Sequence, residues 1–393
     1  MNEEFWKWVR KHASDDPKSL WLKYGKTHEQ EIVQIECRRR FAKKLGATLQ
    51  RVPRWVFPSL LAGEQSTSDI LAAFHARLVP ECARMADLTA GLGIDAMHCA
   101  GIAAEVTAIE MDARKADTLR GNAAEAGADN IRVVCADCRR WLEEYTGARF
   151  DIVFIDPARR SADGGRVFAL ADCEPNVVDM LPLLRRHTDR LLVKMSPMLD
   201  ISSVLESLPD CVRIFALGTS TECKELLALV DFAHAPSHKD DIAIEAVTVT
   251  DTDTHEFRCT RSEEMVADAV YGRPRPGDYV CEPYPAVMKI GASRLVSQRY
   301  GLQKLAQNTH VYFAPGPVAS FPGEQRRVVE VLPWASKVLK RFKRSYPRIA
   351  VAARNFGMSA EAVRAKLGVA DGGSYRLLAV TDIAGEKLLI VLE

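Results

Sequence analysis

Apolar residues in the first 82 positions recur at helical spacing. Ile32, Val33, Ile35, Cys37, Phe41 and Leu45 keep one stripe, with Arg38, Arg39, Arg40, Lys43 and Lys44 set around it. From Arg84 to about Ala233 short continuous apolar runs take over, at 83–88, 105–110, 131–135, 150–155, 190–194 and 212–217, alternating with helical stretches. Runs without polar alternation suit strands buried on both faces, so this order predicts an α/β domain with a doubly wound parallel sheet. At His234-Ala235-Pro236-Ser237-His238 the composition becomes that of a linker. Residues 242–250 then alternate as a strand, Pro285 opens a helical stretch, and 327–332 reads as a further strand after Pro315-Gly316-Pro317. Strands mixed with one or two helices predict a small α+β domain. The end of the chain predicts a basic helix at 335–344, a strand at 348–354, a helix capped by Ser359 and ended by Gly368, and a hairpin of 375–381 with 387–392. The expected divisions are 1–82, 83–235, 236–333 and 334–393.

Length and composition narrow the class. A chain of 393 residues, 47% hydrophobic and 27% charged, has the makings of several packed domains and excludes disorder as the dominant state. No run of 18 apolar residues occurs, so no membrane-spanning helix is expected. Met1-Asn2-Glu3-Glu4 lacks the basic start and apolar stretch of a signal peptide. Ten cysteines are scattered between Cys37 and Cys281 without a framework, which reads as reduced thiols and a cytoplasmic location. The CxxC at Cys135–Cys138 has no second pair at zinc spacing, so no metal is expected. The net charge of +1 conceals an asymmetry. Residues 1–82 carry 14 basic against 10 acidic side chains, 83–235 carry 17 against 24, 236–324 carry 9 against 12, and 325–393 carry 13 against 6. Basic ends around an acidic middle predict that the termini, not the centre, would meet a polyanion.

The densest chemical signal is Asp87-Leu88-Thr89-Ala90-Gly91-Leu92-Gly93-Ile94-Asp95-Ala96, at the end of the first parallel strand. Small residues at 90, 91 and 93 let the backbone turn into a helix and approach a ligand closely. Glu110 ends the second strand, where its carboxylate can accept both hydroxyls of a ribose. Asp137 follows the third, where it can meet an adenine amino group, and Asp156 ends the fourth within Asp156-Pro157-Ala158-Arg159-Arg160. Open α/β sheets bind ligands outside the carboxyl ends of their strands, so these four acids converge on one crevice. Gly91-x-Gly93-x-x-Ala96 with Glu110 behind it also fits a nicotinamide dinucleotide. Asp87 would repel a pyrophosphate, however, and suits the sulfonium and ammonium of S-adenosylmethionine.

On Asp87–Gly93, Glu110, Asp137 and Asp156–Arg159 the sequence resembles class I S-adenosylmethionine-dependent methyltransferases. More narrowly, it resembles the bacterial methyltransferases that carry a C-terminal THUMP-like domain. Glu64-Gln65-Ser66-Thr67-Ser68, the stretches 194–200 and 222–227, Lys289-x-Gly291-Ala292, Asn308-Thr309-His310 and Arg354-Asn355-Phe356 extend that likeness over most of the chain. It implies a helical N-terminal region, a methyltransferase domain, and ferredoxin-like and THUMP-like domains in that order. It also implies donor contacts at Gln65, Ser66, Asp87, Thr89, Ala90, Gly91, Gly93, Glu110 and Asp137, and an RNA substrate. From the residues alone, Ser66 and Thr67 read equally as a helix cap before Ile70 and Leu71.

Methylating a pyrimidine carbon needs a cysteine to attack the ring. The 5-methyluridine enzymes place one after the fifth strand, where this chain has Met195-Ser196-Pro197. The 5-methylcytidine enzymes place one inside the fourth-strand motif, which here is Asp-Pro-Ala-Arg. An exocyclic base amine fits better: Asp156 and the carbonyl of Pro157 can hold its nitrogen in line, and Arg159 stands where many amine methyltransferases carry a stacking aromatic. The glycine loop also resembles, locally, a small-subunit ribosomal RNA guanine-N2 methyltransferase. Lys194 reads as a strand-end charge or a substrate contact. Lys337, Lys340, Arg341, Lys343 and Arg344, interleaved with Phe342 and Tyr346, are the expected RNA-binding surface. Two other readings stay open: a nicotinamide-dependent oxidoreductase, and a non-catalytic RNA-binding protein with a retained nucleotide pocket.

Overall fold

The structure, a computed structural model, describes residues 1–159, 169–234, 238–250 and 252–393, without the side chain of Arg159. Arg160 and most of the expected linker at 234–238 lie outside the described residues. The chain divides into two compact units, Met1–Val212 with Leu227–Pro236, and Arg213–Leu226 with Ser237–Glu393.

The first unit opens with six helices: α1 (Glu3–Lys11), α2 (Pro17–Tyr24), α3 (Glu29–Phe41), α4 (Gly46–Arg51), α5 (Leu60–Gln65) and α6 (Asp69–Ala76). Asn2, Asp16, Ser59 and Ser68 cap α1, α2, α5 and α6 by accepting a first-turn N–H, so the local sequence sets where these helices begin. The cap before Ile70 is Ser68, not Ser66 or Thr67, because Ser68 alone sits where its hydroxyl reaches Leu71 N. Ser66 instead ends α5 and donates to Gly63 O at 2.9 Å. The expected stripe is buried at Ile32, Ile35, Cys37, Phe41 and Leu45. Its lower half shares one apolar core with Leu92, Ile94 and Met97 of the glycine loop and the helix after it. The N-terminal helices are thereby fixed against the part of the fold that carries the motif.

Five parallel strands follow: β1 (Arg84–Asp87), β2 (Glu105–Glu110), β3 (Ile131–Cys135), β4 (Ile152–Ile155) and β5 (Arg190–Met195). They pair in the order β5-β4-β1-β2-β3. The chain thus winds to one side of β1 and then resumes on the other, which leaves the switch point between β1 and β4. All of β4 and all of β1 but Arg84 are buried, as their unbroken apolar runs require. The helices α7 (Ile94–Cys99), α8 (Ala113–Glu125) and α9 (Cys138–Glu144) follow the first three strands.

In the second unit, β6 (Cys211–Gly218) pairs from Arg213 onward in parallel with β7 (Ala243–Val249), which pairs antiparallel with β8 (Thr254–Cys259). An eight-stranded sheet holds the rest: β9 (Val270–Tyr271), β10 (Tyr279–Pro283), β11 (Gln303–Ala306), β12 (Thr309–Ala314), β13 (Gly323–Pro333), β14 (Ala350–Arg354), β15 (Arg376–Thr381) and β16 (Lys387–Leu392). Their order is β9-β11-β12-β10-β13-β16-β15-β14. The long strand β13 pairs with β10 through residues 323–327 and with β16 through 328–333. One backbone therefore joins both halves of this sheet. The helices Ser336–Ser345 and Ala360–Leu367 form where the pattern predicts them, the latter capped by Ser359 and ended by Gly368 at φ 64°.

Candidate active site

The glycine loop leaves β1 at the switch point. Gly91 and Gly93 have φ of 56° and 84°, left-handed values that side chains resist. At Gly93 a Cβ would also stand 2.0 Å from Leu119 Cδ1, so space and conformation both demand glycine there. Leu88 N donates to Phe154 O, Ala90 N to Ile109 O and Gly93 N to Ala90 O, which stitches the loop across β4, β2 and itself.

The acids around the loop take different parts. Asp87 is almost wholly buried, at 1% exposure, and its Oδ1 accepts Thr89 N at 3.1 Å. Burial pushes its carboxyl well above the usual range, and the nearby Asp95, Asp156 and Glu110 push it further. Glu110 accepts Gly91 N at 2.8 Å through Oε2 and Asp112 N at 2.8 Å through Oε1, so it holds the loop's shape from behind. Asp137 caps α9 by accepting Arg140 N at 2.9 Å. Asp156 donates its backbone N–H to Thr89 Oγ1 at 2.7 Å, and its Oδ2 accepts from Lys194 Nζ. Asp156 thus joins the loop on one side and the end of β5 on the other. Pro157 is buried, and Ala158–Arg159 pairs with Cys173–Glu174 as a short antiparallel ladder. The side chain of Arg159, expected to stack on a base, lies outside the described residues.

A cleft opens over this loop. Gln65, Ser66, Thr89, Ala90, Gly91, Gly93 and Asp156 line it, seven residues named from the sequence. Thr67, Asp95 and Lys115 line it too, none of them a donor contact expected from the sequence. Asp95 stands inside the motif itself, and Thr67 beside Gln65 and Ser66, so position was the available signal. Asp95 Oδ1 is 2.7 Å from His75 Nδ1, and its Oδ2 accepts from Thr67 Oγ1. Although burial opposes ionisation, His75 and then Lys194 hold Asp95 at a pKa lowered to about 2. Cys99 and Cys138, the buried thiols of this sheet's helices, are both pushed upward by burial, the wrong direction for a nucleophile.

The basic segments differ in what their side chains meet. Arg38 donates to Pro53 O and Trp55 O, Arg39 to Ala13 O, and Lys44 to Gly63 O and Glu64 O, while Arg40 pairs with Glu64. Arg38 and Arg39 thus tie loops to α3, and Lys44 ties the segment after α3 to the end of α5, because bare carbonyls need donors. Phe342 and Tyr346 are core residues of the second unit, 3% and 7% exposed, and so do not stack on bases. Lys337, Lys340, Arg341, Lys343 and Arg344 are exposed on the other face of that helix, and none makes an ion pair among the described residues. Among the described residues there is also no helix long and apolar enough to cross a membrane and no group of three or more potential metal ligands.

A family model for a ferredoxin-like domain matches residues 279–322, and one for a THUMP domain-like family matches 323–393. The boundary falls at the start of β13. Over its whole length the chain is similar to a crystal structure from Porphyromonas gingivalis W83 named a "putative methyltransferase". That likeness is 28% identical, covers 100% of this chain and 99% of that one, and has a TM-score of 0.89. Over smaller shares it is similar to TrmN from Thermus thermophilus, at 17% identity, 43% and 51% coverage and a TM-score of 0.33. An rRNA methylase from Streptococcus thermophilus is similar at 14% identity, 41% and 95% coverage and a TM-score of 0.30. No curated protein matches the chain. The chain combines a Rossmann-like domain of the methyltransferase fold with C-terminal ferredoxin-like and THUMP-like domains.

Proposed function

We propose that this protein is an S-adenosylmethionine-dependent methyltransferase that modifies a base nitrogen of RNA. The observation that carries the reading is the crowding of Asp87, Asp95 and Asp156 around one glycine loop, with Glu110 behind it. Burial pushes Asp87 upward and the neighbouring carboxylates push it further, so a positive charge beside it is favoured. A cationic donor relieves that repulsion, whereas a pyrophosphate adds to it, which sets aside the nicotinamide reading. The donor set fits: carboxylates and hydroxyls for a sulfonium and an ammonium, and a loop free of Cβ atoms at Gly91 and Gly93. When bound, S-adenosylmethionine supplies a methyl group activated by its positive sulfur.

The remaining work falls to the protein. Asp156 is the acceptor for an N–H of the target amine, and Lys194 orients its carboxylate. Pro157 offers its carbonyl to the same amine. Gln65, Ser66 and Thr89, which line the cleft, are assigned to the donor, and so are Glu110 and Asp137, which do not line it and are assigned to its nucleoside. In this reading residues 83–235, together with Gln65 and Ser66, bind the donor and 334–393 the RNA, through the five exposed cations of the helix Ser336–Ser345. The THUMP domain-like match and the name of the P. gingivalis relative support it.

Calorimetric titration of the full chain with S-adenosylhomocysteine and with NAD tests the donor. Binding of the first alone is expected; binding of NAD alone makes the protein an oxidoreductase. Labelled methyl transfer to RNA from cells lacking the protein then tests the acceptor, and donor binding without transfer to any RNA leaves the acceptor reading without support.

A further inference from the structure

Two acids at the loop differ in what they can reach. Asp87 is enclosed at 1% exposure and spends Oδ1 on Thr89 N, inside the turn. Asp95, two residues past Gly93, lines the cleft while its carboxylate is only 12% exposed. Each of its oxygens has one partner from the N-terminal region, His75 of α6 and Thr67 of the turn before it. A carboxylate has about four acceptor positions, so two partners fix its orientation and leave it able to accept more. α6 is itself tied down, since Asp69 accepts from Thr48 N at 2.9 Å and stands 3.3 Å from His98 Nε2 of α7.

We infer that Asp95, positioned by Thr67 and His75, receives the ammonium of the amino-acid part of the donor. This rests on the methyl-donor reading above. A preset carboxylate at the cleft wall meets an ammonium without rearranging, whereas the enclosed Asp87 meets it only through the loop. The helical N-terminal region is then part of the donor site, because it supplies both groups that hold Asp95. His75 and Lys194 favour the charged form of Asp95, whereas burial disfavours that of Asp87.

The test compares two ligands on the full chain: S-adenosylhomocysteine, which has the ammonium, and 5′-methylthioadenosine, which lacks the amino-acid part. Asp95→Asn keeps the shape and the Thr67 hydrogen bond. It should weaken S-adenosylhomocysteine roughly ten- to a hundred-fold and leave 5′-methylthioadenosine within about twofold. Thr67→Val, which removes one partner only, should weaken S-adenosylhomocysteine alone by a few-fold, and it carries the comparison if Asp95→Asn fails to fold. An equal loss for both ligands makes Asp95 a structural residue, and no loss for either removes it from the site; both results overturn the inference. A wild-type protein that binds neither ligand overturns the methyl-donor reading itself, and is told apart from those results without any variant.

Discussion

At the scale of single residues the site is a contest between burial and charge. Asp87 has a folded pKa raised above its unfolded value, so its contribution to stability is present at low pH and lost as pH rises through the folded pKa. Asp87→Asn keeps the Thr89 contact and removes that loss. The melting temperature of the variant should therefore gain on wild type as pH rises, while S-adenosylhomocysteine binding weakens, a trade seen where function keeps a strained charge. A difference in melting temperature that does not change with pH would contradict the assignment. Asp156 should behave otherwise. Asp156→Ala is expected to keep most donor affinity in a calorimetric titration and to lose methyl transfer, as its proposed role toward the acceptor requires; equal loss of both would make it a donor-site residue.

The loop and the basic helix carry the argument at the scale of elements. Gly93→Ala puts a Cβ 2.0 Å from Leu119 and forces a left-handed φ, together costing about 2–6 kcal/mol. Gly91→Ala meets nothing closer than Thr89 O at 3.9 Å and costs only the conformational part. Thermal melts should thus fall further for Gly93→Ala, by several degrees, than for Gly91→Ala. In the helix Ser336–Ser345 the apolar face is spent on the core and the basic face is open. Changing Lys340, Arg341, Lys343 and Arg344 to Glu should flatten the slope of log K against log salt for RNA by about two to three units. Donor affinity should stay the same, which a parallel titration checks. An unchanged slope would take this helix out of the RNA-binding surface.

Across the whole molecule charge is partitioned. The segment 83–235 has a net charge of −7 and 325–393 of +7, from the counts of 17 against 24 and 13 against 6. In the proposed function the donor is bound among acids and the polyanion is met by a separate basic segment. Raising the salt should therefore raise KM for RNA steeply while the affinity for S-adenosylhomocysteine, a ligand without net charge, hardly moves. Parallel salt dependence of the two would place RNA and donor on the same surface. In the N-terminal helices Arg38, Arg39, Arg40 and Lys44 face carbonyls and a carboxylate of the protein itself.

Much of the molecule was legible from local pattern. Unbroken apolar runs marked β1 to β5, Ser359 and Gly368 bounded their helix, and Gly91 and Gly93 marked the loop, because periodicity, capping and φ preference act within a few residues. The strands β10, β11 and β12 were not marked one by one, being short and carrying buried polar residues such as Lys304 and Thr309 that break the apolar run. What needed the tertiary structure was every role set by a distant partner. Thr67 meets Asp95 across 28 residues and His75 meets it across 20, so nothing local distinguishes these three from solvated polar side chains. Phe342 and Tyr346 read as aromatics on a basic face until packing turned them inward. The order of residues sets which elements can form; only the pairing of those elements decides which side of each one water, a ligand or the core will meet.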